Sequence, residues 1–390
     1  MVKLLKYKWQ QLQEIIVEKI ESGEYLKGSK LPSERELCDI FGVSRVCVRQ
    51  VLDKLESEKV ITRLPGKGAF VGTLADVPVE DRPKSNLIAL TVLGAPTDPP
   101  TLEIVEGIRT VMAERDYHLI IEWVKDAPDY EKKVVNKLLT RGVDGLIMTA
   151  TAGRDNRGEI ITNKEFYAEL ASRHIPFVIF DRYVSDERWS TVGYQVYEPT
   201  FKIIKKLIEA GRKKIAYIGL EFSLAGADRY YAYLEAMKNM GLTIDERAIV
   251  LANDAESFEP IKWAIHSAKT LIANGTDFDA IMCFSPLIGY VAYKELLKLG
   301  KSFGNGKCVG AFEWSAVGDK EFQSVFIGTQ RRPLKKMGHR AAEILFEEIE
   351  HNGQAEKVHE RIEVDVMHNP EIHLVGGIPL AITRRDFVFT

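Results

Sequence analysis

Two arginines one helical turn apart, Arg45 and Arg49, follow a serine, Ser44, that can cap a helix. A guanidinium is a planar fork of donors, and two forks at the start of one helix can reach a single groove of duplex DNA. Lys67 lies between Gly66 and Gly68. Glycines let a backbone approach a duplex closely, and a lysine at such a tip can reach phosphate or the minor groove. Farther along, Asp181 closes the apolar run from Pro176 to Phe180, and Arg229 opens a helical stretch after a loop. A carboxylate and a guanidinium there can hold an oxygen-rich ligand. On these residues alone the plainer reading stands, with Asp181 as a loop-capping carboxylate and Arg229 as a surface ion pair. Catalytic groupings are missing. The eight histidines are scattered without metal-ligand spacing, and no glycine-rich phosphate loop with its lysine follows a strand. The expectation is a protein that is not an enzyme and needs no metal or cofactor.

The elements that must position the arginines are legible around them. Ser33 reads as an N-cap with Glu36 three residues later, a capping box, and Leu37, Ile40 and Phe41 share the face of the helix that follows. Gly42 falls where a left-handed residue ends that helix. Val48, Val51, Leu52 and Leu55 form the buried stripe of the next, leaving Arg45, Gln50 and Lys54 outside and Arg49 at the edge. This is a helix-turn-helix pattern, although an ordinary helical hairpin with a solvated face has the same periodicity. Two short strand-like runs, Val60–Arg63 and Ala69–Val71, then flank Pro65-Gly66-Lys67-Gly68 as a hairpin, the wing of a winged helix. Trp9, Leu12, Ile15, Ile16 and Ile20 place a packing helix ahead of both.

Leu31-Pro32-Ser33-Glu34-Arg35-Glu36-Leu37, Phe41-Gly42-Val43-Ser44-Arg45, Val48-Arg49 and Gly66-Lys67-Gly68-Ala69-Phe70-Val71 together closely resemble the GntR family of bacterial transcription regulators. The resemblance implies DNA contacts by Arg35, Ser44, Arg45, Arg49, Lys67 and Gly68. Val46-Cys47 departs from the small polar pair usual in that family.

At 390 residues the chain is long for one compact domain, and its 45% hydrophobic content can build sizeable cores. The net charge of −3 is uneven. Roughly 13 Lys and Arg against roughly 10 Asp and Glu in residues 1–72 leave a positive head on a more acidic body. Cys38, Cys47, Cys283 and Cys308 have neither disulfide nor metal spacing, which suits a reducing, cytoplasmic setting. With no leader-like or membrane-spanning run, no membrane partner is expected. Residues 73–85 lack hydrophobic period and read as a linker. From Leu87 on, strands and helices alternate, the signature of parallel sheets covered by helices. Two such runs in series, from 86 to 390, predict two α/β lobes around a cleft, with ligand at the carboxyl ends of the strands. Gly226-Ala227-Asp228 reads as a turn, and Gly376-Gly377 as the bend of a terminal hairpin.

In this stretch Asp144-Gly145-Leu146-Ile147, Asp181-Arg182, Ile215–Gly219, Arg229 with Tyr233, Val309-Gly310 and Thr329-Gln330 through Met337-Gly338 are similar, in shared order, to the effector domain of the LacI/GalR family, itself similar to periplasmic sugar-binding proteins. A GntR-type head on such a body resembles the arabinose-responsive repressors of Gram-positive bacteria. The resemblance moves Asp181 and Arg229 to ligand contacts. By position it adds Ser285, Phe312, Glu313, Trp314 and Gln330, with aromatic rings to cover a sugar face. Ser285-Pro286, Ala311-Phe312-Glu313 and Tyr194-Gln195 depart from the family pattern, so the ligand need not be arabinose or even a sugar.

The reading is therefore an α/β protein with an N-terminal winged helix-turn-helix and a two-lobed, LacI-type effector domain. It regulates transcription as a homodimer on a palindromic double-stranded operator, most simply as a repressor, and a small polar effector, a sugar, controls it. An α/β enzyme on a sugar or nucleotide, and a DNA-binding dimer without effector, are the alternatives.

Overall fold

The computed structural model describes residues 8–93, 99–155, 157, 159–182, 184, 186–221, 223–253, 259–313 and 320–367. Trp314 and the proposed hairpin at Gly376-Gly377 lie outside them.

The head is built from α1 (Lys8–Glu21), α2 (Glu34–Phe41), α3 (Arg45–Ser57) and an antiparallel wing, β1 (Ile61–Leu64) and β2 (Gly68–Val71). The capping box at α2 forms: the Ser33 N–H donates to Glu36 Oε2 at 2.7 Å and the Glu36 N–H to Ser33 Oγ at 3.3 Å. Gly42 ends α2 in the left-handed region at φ 62°. The α3 stripe of Val48, Val51, Leu52 and Leu55 is buried against Leu12 and Ile16 of α1 and Leu37 of α2. Ile40, expected on the buried face, is 58% exposed. With only eight residues, α2 seats Leu37 and part of Phe41 on α3, and Ile40 falls beyond the edge of that narrow stripe. Arg63 ties the wing to α3 through Asp53 and Glu56, both at 2.6 Å.

Beyond the head, in chain order, come β3 (Leu87–Leu93), α4 (Pro99–Met112), β4 (His118–Val124), α5 (Pro128–Thr140), β5 (Gly145–Thr149), β6 (Ala152–Arg154) and β7 (Ile160–Thr162). α6 (Lys164–Ser172), β8 (Phe177–Phe180), β9 (Ser190–Tyr194), α7 (Tyr197–Glu209), β10 (Ile215–Leu220), α8 (Leu224–Asn239) and β11 (Ile249–Ala252) follow. The rest is α9 (Pro260–Ala273), β12 (Ala280–Cys283), α10 (Pro286–Lys298), β13 (Val309–Ala311), α11 (Lys320–Val325), β14 (Phe326–Gln330), α12 (Leu334–Glu350), β15 (His359–Ile362) and β16 (Val366–Met367).

Two compact units result. The first takes the head, residues 73–152, 161–193 and 334–360. Its sheet runs β15-β9-β8-β5-β3-β4, with parallel pairing from β9 through β4. Among the described residues, the second holds 153–160, 194–333 and 361–367. Its sheet runs β11-β10-β12-β13-β14-β16, parallel except for the antiparallel edge at β16. The alternating pattern and the parallel sheets are as the sequence implies. The serial order of lobes is not: α12 belongs to the first unit, where its backbone meets α4. A Cβ on Gly107 would lie 2.0 Å from the Lys335 carbonyl oxygen, and one on Gly338 2.4 Å from that of Ile104. Gly226–Asp228 is no turn either. Ser223 caps α8, its hydroxyl accepting from the Gly226 N–H at 3.0 Å, so all three residues and Arg229 are inside the helix.

Residues 73–86 do not run free. Val77 and Ala75 are buried, Val77 against Leu64 and Phe70 of the wing. The Ser85 and Asn86 N–H groups donate to the Asp144 carboxylate at 3.0 and 2.9 Å. Arg82 donates to the carbonyls of Val77 and Ala75, and Arg173 of the first unit also reaches Ala75.

Candidate nucleic-acid interface and ligand site

The residues proposed to meet DNA gather at the α2–α3 corner and the wing. Ser44 is the α3 N-cap, its hydroxyl accepting from the Cys47 N–H at 3.3 Å. Arg45 and Arg49 are both exposed on α3, and both donate through Nε to Glu34, the first residue of α2. Their hydrogen bonds hold the Glu34 carboxyl below its usual range, Arg45 contributing most, against partial desolvation that raises it. Arg35 is exposed on α2. Gly68 takes φ 109° at the wing, a conformation that favours glycine. Lys67 is not simply presented to solvent: its Nζ donates to the Glu80 carbonyl at 2.9 Å and lies 3.6 Å from Asp81, so the wing tip is tied to residues 79–81.

In the second unit, α8 places Arg229 wholly inside, 1% exposed. Its guanidinium pairs with Glu313, donates to Tyr194 Oη at 3.2 Å and to the Phe284 carbonyl at 3.3 Å. It lies 4.1 Å from the Phe284 ring centre and 5.7 Å from that of Phe312. Burial pulls the Arg229 pKa down, but Glu313 and Tyr194 outweigh it, and the group is held charged. Arg332 reaches the same Glu313 carboxylate at 3.5 Å, and Glu313 has a positive φ of 63°. The buried guanidinium, lying over the Phe284 ring, fixes the partly exposed Glu313 carboxylate and the Tyr194 phenol beside it, groups that can bond hydroxyls from set directions.

The structure thus brings together Arg229, Glu313 and Phe312, and adds Tyr194, Phe284 and Arg332, which the sequence reading did not assign. Phe284 was findable, since it ends the apolar run before Ser285. Other expected residues have duties of their own. Ser285 caps α10, accepting from the Ile288 N–H at 3.4 Å. Gln330 donates to the Val196 carbonyl at 3.2 Å and to Thr200 at 2.7 Å, tying β14 to α7. Phe312 is fully buried, a platform under Arg229. Asp181 stands just past β8 in the first unit at φ 67°. Its neighbour Arg182 pairs with Asp126 at 2.6 Å, and Asp126 also accepts from the Ala152 N–H at 2.8 Å.

Residues 8–71 match the bacterial regulatory proteins of the gntR family, and residues 87–369 match the periplasmic binding proteins and sugar binding domain of the LacI family. The second match spans most of the chain. The chain belongs to the LacI sugar-binding-domain family and carries a GntR head. An arabinose metabolism transcriptional repressor of Geobacillus stearothermophilus is 24% identical over 94% of this chain and 96% of its own length. One of the same description from Halalkalibacterium halodurans is 24% identical over 63% of this chain and 64% of its own. Among solved structures, a transcriptional regulator CelR–cellobiose complex superposes with a TM-score of 0.60 at 20% identity, covering 83% of this chain and 90% of that one. That likeness shows a shared fold. The relatives are named as regulators, in keeping with a GntR–LacI chain that is not an enzyme.

Proposed function

We propose that this chain is a transcriptional repressor that binds a palindromic operator as a homodimer and whose operator affinity is set by a sugar held at Arg229. The observation that carries the reading is the Arg229 cluster, a charged guanidinium buried over aromatic rings at the carboxyl ends of β12 and β13, in a chain whose N-terminal head exposes Arg45 and Arg49 on a capped helix. In an open parallel sheet those strand ends are where ligands bind. Asp181 and the Arg182–Asp126 pair stand at the strand ends of the other sheet and offer hydroxyl-binding groups of the same kind. Dimerisation is inferred because one winged helix contacts too few bases for useful specificity. A cytoplasmic location follows from the DNA target. No helix among the described residues is long and apolar enough to cross a membrane.

The test begins with a DNA sequence enriched from a random library by the full-length chain. A panel of pentoses, hexoses and disaccharides is then screened for a rise in melting midpoint, as mass action requires of a true ligand. The expected result is at least one sugar that raises the midpoint and lowers affinity for the enriched DNA. Turnover of a sugar would favour the enzyme reading, and an unmoved midpoint across the panel would favour a DNA-binding dimer without a sugar effector.

A further inference from the structure

Glu34 bridges the two helices of the helix-turn-helix in a particular way. Arg45 donates to it from Nε at 2.8 Å, and Arg49 from Nε to both carboxylate oxygens at 3.2 and 3.1 Å. Neither bond uses Nη1 or Nη2, the end of the fork that can pair with guanine O6 and N7. One carboxylate on α2 therefore restrains two long side chains of α3. The Glu34 side chain is 26% exposed, whereas Arg45 and Arg49 are 69% and 58% exposed. The acceptor sits low and the two forks stand above it. Side chains so exposed would otherwise sample many rotamers and meet phosphates indiscriminately. Arginine carries a large rotamer entropy, and ordering it before binding removes that cost from the bound state.

We propose that Glu34 is a positioning and specificity-determining residue of the DNA interface: it presets the Arg45 and Arg49 forks for base edges and holds back their attraction for phosphate. The proposal rests on the DNA-binding reading. Two physical effects follow. Discrimination between sequences depends on fork direction, which Glu34 sets. Sequence-independent binding depends on net positive charge, which Glu34 lowers by one beside the two arginines. Removing the carboxylate charge must therefore raise non-specific affinity and lower the preference for the specific sequence.

The experiment compares full-length wild type, Glu34→Gln and Glu34→Ala on the DNA enriched by wild type and on random-sequence DNA of equal length, across a series of salt concentrations. Glu34→Gln is expected to bind random DNA more tightly and to show a salt slope steeper by about one. Its preference for the enriched sequence should fall roughly tenfold. In an Arg45→Ala, Arg49→Ala background the same change should leave the preference unmoved. Melting midpoints are recorded alongside, because an acidic residue in the first turn of α2 also favours the helix dipole. If affinity for both DNAs falls in step with the midpoint, Glu34 only supports the helix and the proposal is overturned. If affinity for both rises equally, it is only a diffuse charge, and the proposal is again overturned. A wild type that enriches no sequence would instead overturn the DNA-binding reading itself.

Discussion

Arg229 shows how far one side chain's role depends on its surroundings. Exposed, it would be a mobile ion pair worth little. Buried beside Glu313 and over the Phe284 ring, it is a charge that the fold must keep satisfied. Arg229→Ala should lower unfolding free energy by about 2–5 kcal/mol, because it empties the space over Phe284 and takes away the buried partner of Glu313, leaving that carboxylate to Arg332. Urea denaturation checks this, and a loss under 1 kcal/mol would return Arg229 to the surface-pair reading. Glu131 is the opposite case, a buried carboxyl with no cationic partner among its hydrogen bonds. Tyr167 donates to it at 2.9 Å, Thr151 at 2.8 Å and Asn163 at 2.7 Å. Burial nevertheless dominates and pushes its pKa up. The native state therefore holds this proton more tightly than the unfolded chain. The group's contribution is fully present below the unfolded value of about 4.3 and is lost as pH rises through the native one. Glu131→Gln keeps the shape and removes the titration. Across denaturation curves from about pH 4 to pH 8, wild type should lose stability relative to the variant as pH rises. Parallel curves would mean that the carboxylate is as well accommodated as in water.

At the scale of elements, the crossing of α4 and α12 is the contact on which the first unit closes. Gly107 and Gly338 face the partner helix's backbone, where no Cβ fits. Gly338→Ala should cost about 3 kcal/mol, since a backbone carbonyl cannot move aside as a flexible side chain can. Gly107→Ala at the same crossing should not add fully to it, because one shift of the helices relieves both. Denaturation midpoints of the two single variants and the double variant measure this, and full additivity would place the glycines in separate strains. The stretch from 73 to 86 belongs to the same scale. Its charged, aperiodic sequence resembles a free linker, yet Val77 packs under the wing and Glu80 holds Lys67.

For the whole molecule, the proposed function requires effector and operator to be linked. A ligand shifts an equilibrium only by its difference in affinity between two states, and DNA shifts ligand binding by the same factor. Couplings of this kind are about 1–3 kcal/mol. Calorimetric titration of the effector sugar into protein alone and into protein saturated with the enriched DNA should give dissociation constants differing roughly 5- to 150-fold. The ratio must equal that seen for DNA with and without sugar. Unequal ratios would require a third species, such as a change of oligomeric state.

Local chemistry carried much of this protein into plain view. The cap at Ser33, the left-handed Gly42, the stripe from Val48 to Leu55 and the alternation of strands with helices all arise from neighbours along the chain, and such patterns are written in sequence. What the sequence alone could not determine depends on residues far apart in the chain. Glu34 meets Arg45 and Arg49 only when α2 and α3 fold together. Arg332 and Tyr194 join Arg229 from other parts of the second unit, and α12 returns to the first, because close packing and the pairing of buried charges are settled only when distant segments meet.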